Sequence, residues 1–248
     1  MYRSRVIPVL LLSGHGLVKT QKFKDPTYIG DPVNAVRIFS EKEADELVLL
    51  DIGATVEKRE PNYELIAEIG GECLMPMAYG GGITSLEQIR KLIRTGVEKV
   101  IINSFAASNP QLLTEAANVF GSQAIVAGID VRRTLLQGAR VVTHSGTMDA
   151  RVDPVTQAKR LVEAGAGEIL LNSVDRDGTM GGYDLPLIKS VADAVDVPVV
   201  ACGGAGAPMH LTEAIAQGAS AAAAGSMFVF HGKKRAVLIN YSNQILAT

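Results

Sequence analysis

The chain has little of several things, and each shortage excludes a class. It has two cysteines, Cys73 and Cys202. That is too few for a disulfide framework and suits a reducing cytoplasm. It has no surplus of either charge: 24 Lys+Arg stand against 26 Asp+Glu, a net of −2. Nucleic-acid binders carry a basic excess, and membrane-surface binders a polybasic patch, so neither partner is expected. No apolar run approaches the ~18 residues of a spanning helix. The run Val6 to Leu12 is short, contains Pro8 and lacks a small-residue cleavage site after it, so it does not read as an export signal. His15, His144, His210 and His231 show no metal-ligand spacing, so no metal is expected. Low-complexity segments and linkers are missing too. The expectation is a soluble, cytoplasmic protein.

What is present is ordinary globular composition, 47% hydrophobic and 20% charged over 248 residues. A chain of this length buries roughly 70–75% of its unfolded surface and needs no staple. Short, β-branched and Leu-rich runs predict strands over 5–12, 46–52, 75–79, 99–103, 124–131, 167–172, 197–202 and 220–225. Short continuous apolar runs suit parallel strands covered on both faces. Helical patterns lie between them. One covers 31–43, with Asp31 as N-cap and Pro32 at the first helical position. Another covers 85–95, opened by Ser85 and stopped by Gly96. Eight strands alternating with helices predict a single α/β domain over 1–248, a (β/α)8 barrel. Alternation alone leaves a doubly wound sheet open.

An internal duplication favours the barrel. Asp31-Pro32-Val33 recurs as Asp153-Pro154-Val155, an offset of 122 residues. The same offset carries Glu46-Leu47-Val48-Leu49 onto Glu168-Ile169-Leu170-Leu171, Gly81-Gly82 onto Gly203-Gly204, Gly96 onto Gly218 and Ser104 onto Ser226, with no gap from 31 to 104. Two halves of four βα units each predict a closed barrel with pseudo-twofold symmetry. This long period is not that of a short solenoid repeat. Residues 132–144 interrupt the pattern, and Gln137-Gly138 at their centre predicts a β-hairpin after the fifth strand. Loops after barrel strands form the active face.

The duplicated glycines are the strongest site signal. Gly80-Gly81-Gly82 follows the third strand and Gly203-Gly204 the seventh; Asn103-Ser104 ends the fourth and Gly225-Ser226 the eighth. Glycine admits backbone amides close to an anion, and a helix start and a serine hydroxyl add donors. Two facing phosphate sockets would fit an elongated ligand with a phosphate at each end. The plainer alternative is tight βα turns. Asp51, Asp130 and Asp177 fall at or just beyond strand ends, where a carboxylate can act as general acid or base; equally, each can cap loop amides or pair with Arg132 or Lys19. Asp130 ends the apolar run 124–129 and is the best single candidate. Its counterpart on the first strand is Leu11, which cannot transfer a proton. Lys19 follows the first strand in a loop with Gly14 and Gly16, as a mobile lid contact or a solvated lysine. Cys202 reads as a small buried residue rather than a nucleophile. Arg5, Glu46, Lys99 and Glu168 open four strands. On residues alone they read as charged ends closing the stability face of a barrel.

Taken together these residues resemble the cyclase subunit of imidazole glycerol phosphate synthase, the HisF family, over essentially the whole chain. The resemblance is carried by Gly30-Asp31-Pro32-Val33, Gly80-Gly81-Gly82-Ile83, Phe120-Gly121-Ser122-Gln123, Asp175-Arg176-Asp177-Gly178-Thr179, Gly182-Tyr183-Asp184 and Gly203-Gly204-Ala205-Gly206. It implies a (β/α)8 barrel with half-barrel duplication and no cofactor. It implies a HisH-like glutaminase partner at the bottom face, whose ammonia crosses the barrel to a substrate with two phosphates. By position, Gly82, Asn103 and Ser104 resemble one phosphate socket. Asp177, Gly178, Gly204, Ala205, Gly225 and Ser226 resemble the other. Arg5, Glu46, Lys99 and Glu168 resemble the charged ammonia gate, which replaces the plainer reading given above. Asp130 resembles one of two catalytic aspartates, with Lys19 as a further catalytic candidate.

Leu11 stands where the family has its second aspartate. General acid–base catalysis contributes typically ~10²–10⁴-fold, so losing one partner should cripple cyclisation. The segment 23–30 also departs, and the tail over 228–241 is similar to HisF-like paralogues found with surface-polysaccharide genes. Those are thought to pass ammonia to an amidotransferase making acetamidino sugars. The resemblance therefore implies a barrel that conducts ammonia for sugar amidation. A true cyclase of histidine biosynthesis and a non-catalytic conduit or scaffold are the rivals.

Overall fold

The computed structural model describes residues 4–134, 138–232 and 234–242. In chain order it begins with β1 (Arg5–Ser13), β2 (Gly16–Gln21), β3 (Lys24–Gly30), α1 (Pro32–Glu41), β4 (Leu47–Asp51), α2 (Tyr63–Glu72), β5 (Met77–Gly80), α3 (Leu86–Arg94), β6 (Lys99–Ile102), α4 (Ser104–Ser108) and α5 (Gln111–Phe120). It continues through β7 (Ile125–Thr134), β8 (Gly138–Thr143), β9 (Met148–Asp149), α6 (Pro154–Glu163), β10 (Glu168–Ser173), α7 (Leu185–Ala192), β11 (Val199–Cys202), α8 (Pro208–Ala216), β12 (Ala221–Ala224) and α9 (Ser226–Val229). The short β13 (Phe230–His231) and β14 (Ala236–Val237) pair with each other.

Eight parallel strands close on themselves in the order β1, β4, β5, β6, β7, β10, β11, β12, and β12 returns to β1. This is a (β/α)8 barrel, and each of the eight expected runs overlaps one of its strands. The alternative of an open doubly wound sheet is excluded by the closure.

The duplication is visible element by element. A shift of 122 residues superposes the bounds of α1 on α6, β5 on β11, α3 on α8 and β6 on β12. Local chemistry repeats as well. Asp31 accepts from the Asn34 amide at 2.8 Å and Asp153 from the Thr156 amide at 2.9 Å, each followed by proline. Side-chain capping satisfies an amide that the first turn leaves without a partner. Register fixes the strand equivalences: Leu11 faces Leu50 across β1–β4, and Asp130 faces Asn172 across β7–β10. Leu50 and Asn172 are 122 apart, so Leu11 is the structural counterpart of Asp130.

Alternation along the strands makes two cores. One face packs Leu10, Leu12, Leu47, Leu49 and their kin against the helices. The other fills the barrel interior with Ile7, Val9, Val48, Ile101, Leu170, Val200 and small alanines. The hairpin expected at 132–144 is present as β7–β8, with Arg132 opposite Arg140. Gln137 of its expected turn lies outside the described residues, and Gly138 begins β8 at φ +71°. A second hairpin, β2–β3, was not anticipated; the segment of Lys19 is a strand, not a loop. Its two turn residues, Lys22 and Phe23, adopt φ +54° and +65° without glycine or asparagine, so the usual turn signature is missing.

Candidate functional site at the two ends of the barrel

The floor is a closed ring of charge. Lys99 Nζ donates to both oxygens of Glu46 at 2.9 and 3.0 Å and to Glu168 Oε2 at 2.8 Å. Arg5 donates one Nη to Glu46 and the other to Glu168. β1, β4, β6 and β10 start with or next to these residues, which is why four alternating charges meet. Glu46 and Glu168 are buried. Burial works against the Arg5 charge, but Glu168 and Glu46 together hold its pKa above the ordinary value. Directly above the ring lies a small void walled by Ile7, Val48, Ile101 and Leu170.

The mouth is one-sided. Asp130, at the end of the barrel part of β7, accepts from Asn103 Nδ2 at 2.8 Å and from Asn172 Nδ2 at 3.0 Å. Gly128 makes room for this, since a Cβ there would meet the Asn103 side chain at 3.0 Å. Burial pushes the Asp130 carboxyl up to about 6, while the two amides and Arg132 pull it down and Asp177 pushes it further up. A carboxyl tuned to that range can give and take a proton near neutrality. On the opposite side the equivalents of Asp130, Asn172 and Asn103 are Leu11, Leu50 and Gly225, so no proton-transfer group faces it from those positions.

A pocket opens beside Leu11. Asp177, Gly178, Gly204, Ala205, Gly225 and Ser226 all line it, together with Cys202 and Lys19. The structure thus brings the whole second glycine group together. Gly203 and Gly204 need their glycine: φ is +85° and +119°, and a Cβ on Gly204 would fall 2.2 Å from Gly182 O. Lys19 reaches in from β2 and is 5% exposed, with Nζ donating to Val9 O. Burial lowers its amine to about 8 against the pull of Asp177 and Cys202. The picture of a solvated Lys19 is therefore incorrect. Burial also pushes the Cys202 thiol up to about 12, which leaves it a packing residue and not a nucleophile.

The first glycine group is built differently. Ser104 Oγ accepts from the His144 amide at 2.9 Å, and Gly82 N donates to Thr55 Oγ1 at 3.4 Å. Asp51 is spent on loop structure: Arg59 clasps it with two bonds of 2.8 Å, and the Gly53 and Ala54 amides donate at 3.1 Å. Among the described residues no group of three or more His, Cys, Asp and Glu side chains could hold a metal ion. No helix among them is long and apolar enough to cross a membrane.

Sequence reasoning missed Asn172, Arg59 and His144. For Asn172 a signal existed: it is a polar end to an apolar strand, 122 residues from Leu50. Arg59 and His144 act through loop geometry that no local pattern encodes.

Fold and ends together define a duplicated (β/α)8 barrel with an ionic floor and, at its mouth, an Asp130 carboxyl held by two asparagine amides. The chain belongs to the histidine biosynthesis protein family, whose family model matches residues 5–234. It is 54% identical over 242 residues to a Pseudomonas aeruginosa protein that carries, provisionally, the name imidazole glycerol phosphate synthase subunit hisF2; the match covers 97% of this chain and 96% of that one. A Leptospira interrogans protein provisionally named as the HisF subunit is 48% identical, with 98% and 97% covered. A Vibrio vulnificus protein provisionally named hisF3 is 48% identical, with 97% and 94% covered.

Proposed function

We propose that this chain is a HisF-type synthase subunit acting as a single barrel domain in the cytoplasm. It receives ammonia from a glutaminase subunit at its floor and serves a sugar amidation in surface-polysaccharide assembly rather than imidazole ring closure. The observation that carries this reading is the pairing of an intact ionic floor with an incomplete mouth: Arg5, Glu46, Lys99 and Glu168 form a closed ring, while Leu11 stands at the position equivalent to Asp130.

Physics supports the direction of travel. A charged species entering a lumen of Ile7, Val48, Ile101 and Leu170 would lose its water without compensation, so nitrogen crosses as neutral ammonia. The ring must part to admit it, because Lys99 and Arg5 both bridge the two glutamates. At the mouth, Asp130 is the proton-exchanging group, and Lys19 with Ser226 and the amides around Gly204 hold a phosphorylated ligand. Relatives that carry the HisF name lend the synthase class; the sugar substrate rests on the lost aspartate and the resemblance of the tail.

The rival is a true cyclase, favoured by the tuning of Asp130 alone. An assay with ammonium salt and the two-phosphate histidine-pathway substrate separates them. The expected result is no turnover in the wild type and a rise of at least ten-fold from background in Leu11→Asp. Robust wild-type turnover would establish the cyclase instead.

A further inference from the structure

We propose that the inner face of the β7–β8 hairpin carries an anion site of its own, in which Arg132 and Arg140 together grip a doubly charged phosphoryl group of a ligand lying over the mouth. The site is independent of the ammonia path and of both glycine groups, and so goes beyond the reading given above.

Register puts the two guanidinium side chains next to each other. Arg132 and Arg140 are direct partners across the antiparallel pair, so they leave the same face with Cβ atoms ~4.5–5.5 Å apart. Alternation says which face that is. Val131 and Val141, the partners one step nearer the barrel, are buried in the core beneath the helices. Asp130, Arg132 and Arg140 fall on the other face, the one that looks onto the mouth. The charge of Arg132 reaches the buried Asp130 carboxyl, whose pKa it lowers.

Neither arginine has an acidic partner among the described residues. Arg140 makes no hydrogen bond and no ion pair with them, and its Nε is sealed from solvent without an acceptor. Arg132 donates from Nη1 to Gly146 O at 2.8 Å, which holds its fork under the turn after β8, and makes no ion pair. Arg133, on the outer face of the same strand, shows the contrast: Asp184 clasps it with bonds of 2.7 and 2.8 Å. Like charges directly opposite in a sheet repel, and an enclosed N–H without an acceptor costs free energy; an oxyanion between the two arginines removes both costs. The hairpin of the first half has no such pair. Leu11 corresponds to Asp130, so Ser13 corresponds to Arg132, and Ser13 lies opposite Gly16. A guanidinium presents its N–H donors in a rigid fork that matches phosphoryl oxygens in pairs, and two such cations balance the charge of roughly −2 on a phosphate ester or a diphosphate.

The test titrates the ¹⁵N-labelled full chain with inorganic pyrophosphate and, separately, inorganic phosphate at constant ionic strength, and reads the Nε–Hε signals of Arg132 and Arg140. Both signals should move saturably with either probe; tighter pyrophosphate marks a diphosphate linkage in the ligand, tighter phosphate a terminal phosphate ester. Arg140→Met should weaken the response of Arg132 at least ten-fold while amide signals outside the hairpin stay superimposable, which shows that the barrel folds. Arg140→Lys, which keeps the charge and loses the fork, should restore only part of it. Acetate should move neither signal saturably over the same range. Shifts confined to the glycine-rich loops at 81–83 and 203–205, or an equal response to acetate, would overturn the inference and leave the ammonia reading standing. A shift of Arg132 that Arg140→Met leaves unchanged would show an adventitious ion only and overturn it too.

Discussion

Asp130 sits in an environment that makes a stability prediction with a definite sign. An aspartate has an unfolded pKa of about 3.9, and burial raises the folded value to about 6. The folded state then binds the extra proton between those values, so stability falls as pH rises through that window. Two units correspond to roughly 2–3 kcal/mol, an upper figure because Asp130 keeps some solvent contact. Asp130→Asn should gain stability relative to wild type between pH 4 and pH 7, read as a rising difference in urea midpoint. A constant difference across that range would mean that the carboxyl is not strained by burial. Lys19 runs the other way. Its folded value of about 8 lies below the ordinary lysine range, so its burial costs stability at neutral pH and the cost fades as pH rises from 8 towards 10.

The hairpins and caps carry predictions of their own. Lys22 holds φ +54° in the β2–β3 turn, a conformation that costs a non-glycine residue about 1 kcal/mol. Lys22→Gly should raise stability by about 0.5 kcal/mol after glycine's own entropy is subtracted, measured by urea unfolding. Asp31→Ala and Asp153→Ala should each cost about 1 kcal/mol and add in the double variant, because equivalent caps open helices in opposite halves. Unequal costs would mean that the halves are not equivalent in energy. These elements also show what the sequence makes legible. The eight strands, the 122-residue shift and the capped helices follow from local periodicity and from Asp-Pro pairs. The β2–β3 hairpin does not, because strained Lys22 and Phe23 stand where Asn-Gly would announce a turn. The roles of Asn172, Ser104 and Lys19 depend on which strand end faces which, and that is set by barrel closure between residues far apart in the chain, as where Arg5 of β1 pairs with Ala221 of β12.

At the scale of the molecule, the two halves match in backbone and differ in side chains at both ends. In the floor the 122-residue shift relates Glu46 to Glu168 but carries Lys99 onto Ala221, and each glutamate is buried against both cations. Removing one partner of a buried network leaves the others uncompensated, at ~3–5 kcal/mol when fully buried. Arg5 and Lys99 keep 30% and 20% of their side-chain exposure, so Glu168→Ala should cost about 2 kcal/mol. The mouth spends Asn103, Asp130 and Asn172 on one side and leaves Leu11, Leu50 and Gly225 on the other. Leu74, 87% exposed, sits in the loop that leads into the floor end of β5, and Val119 near the end of α5 is 49% exposed.

Entry of nitrogen through the floor is tested most directly by amide hydrogen exchange on this chain with and without a glutaminase subunit. Exchange should slow in the floor loops around Leu74, Val119 and the residues preceding Glu46 and Glu168, and stay unchanged in the hairpins of the mouth. Protection confined to the mouth, or none at saturating partner, would contradict it.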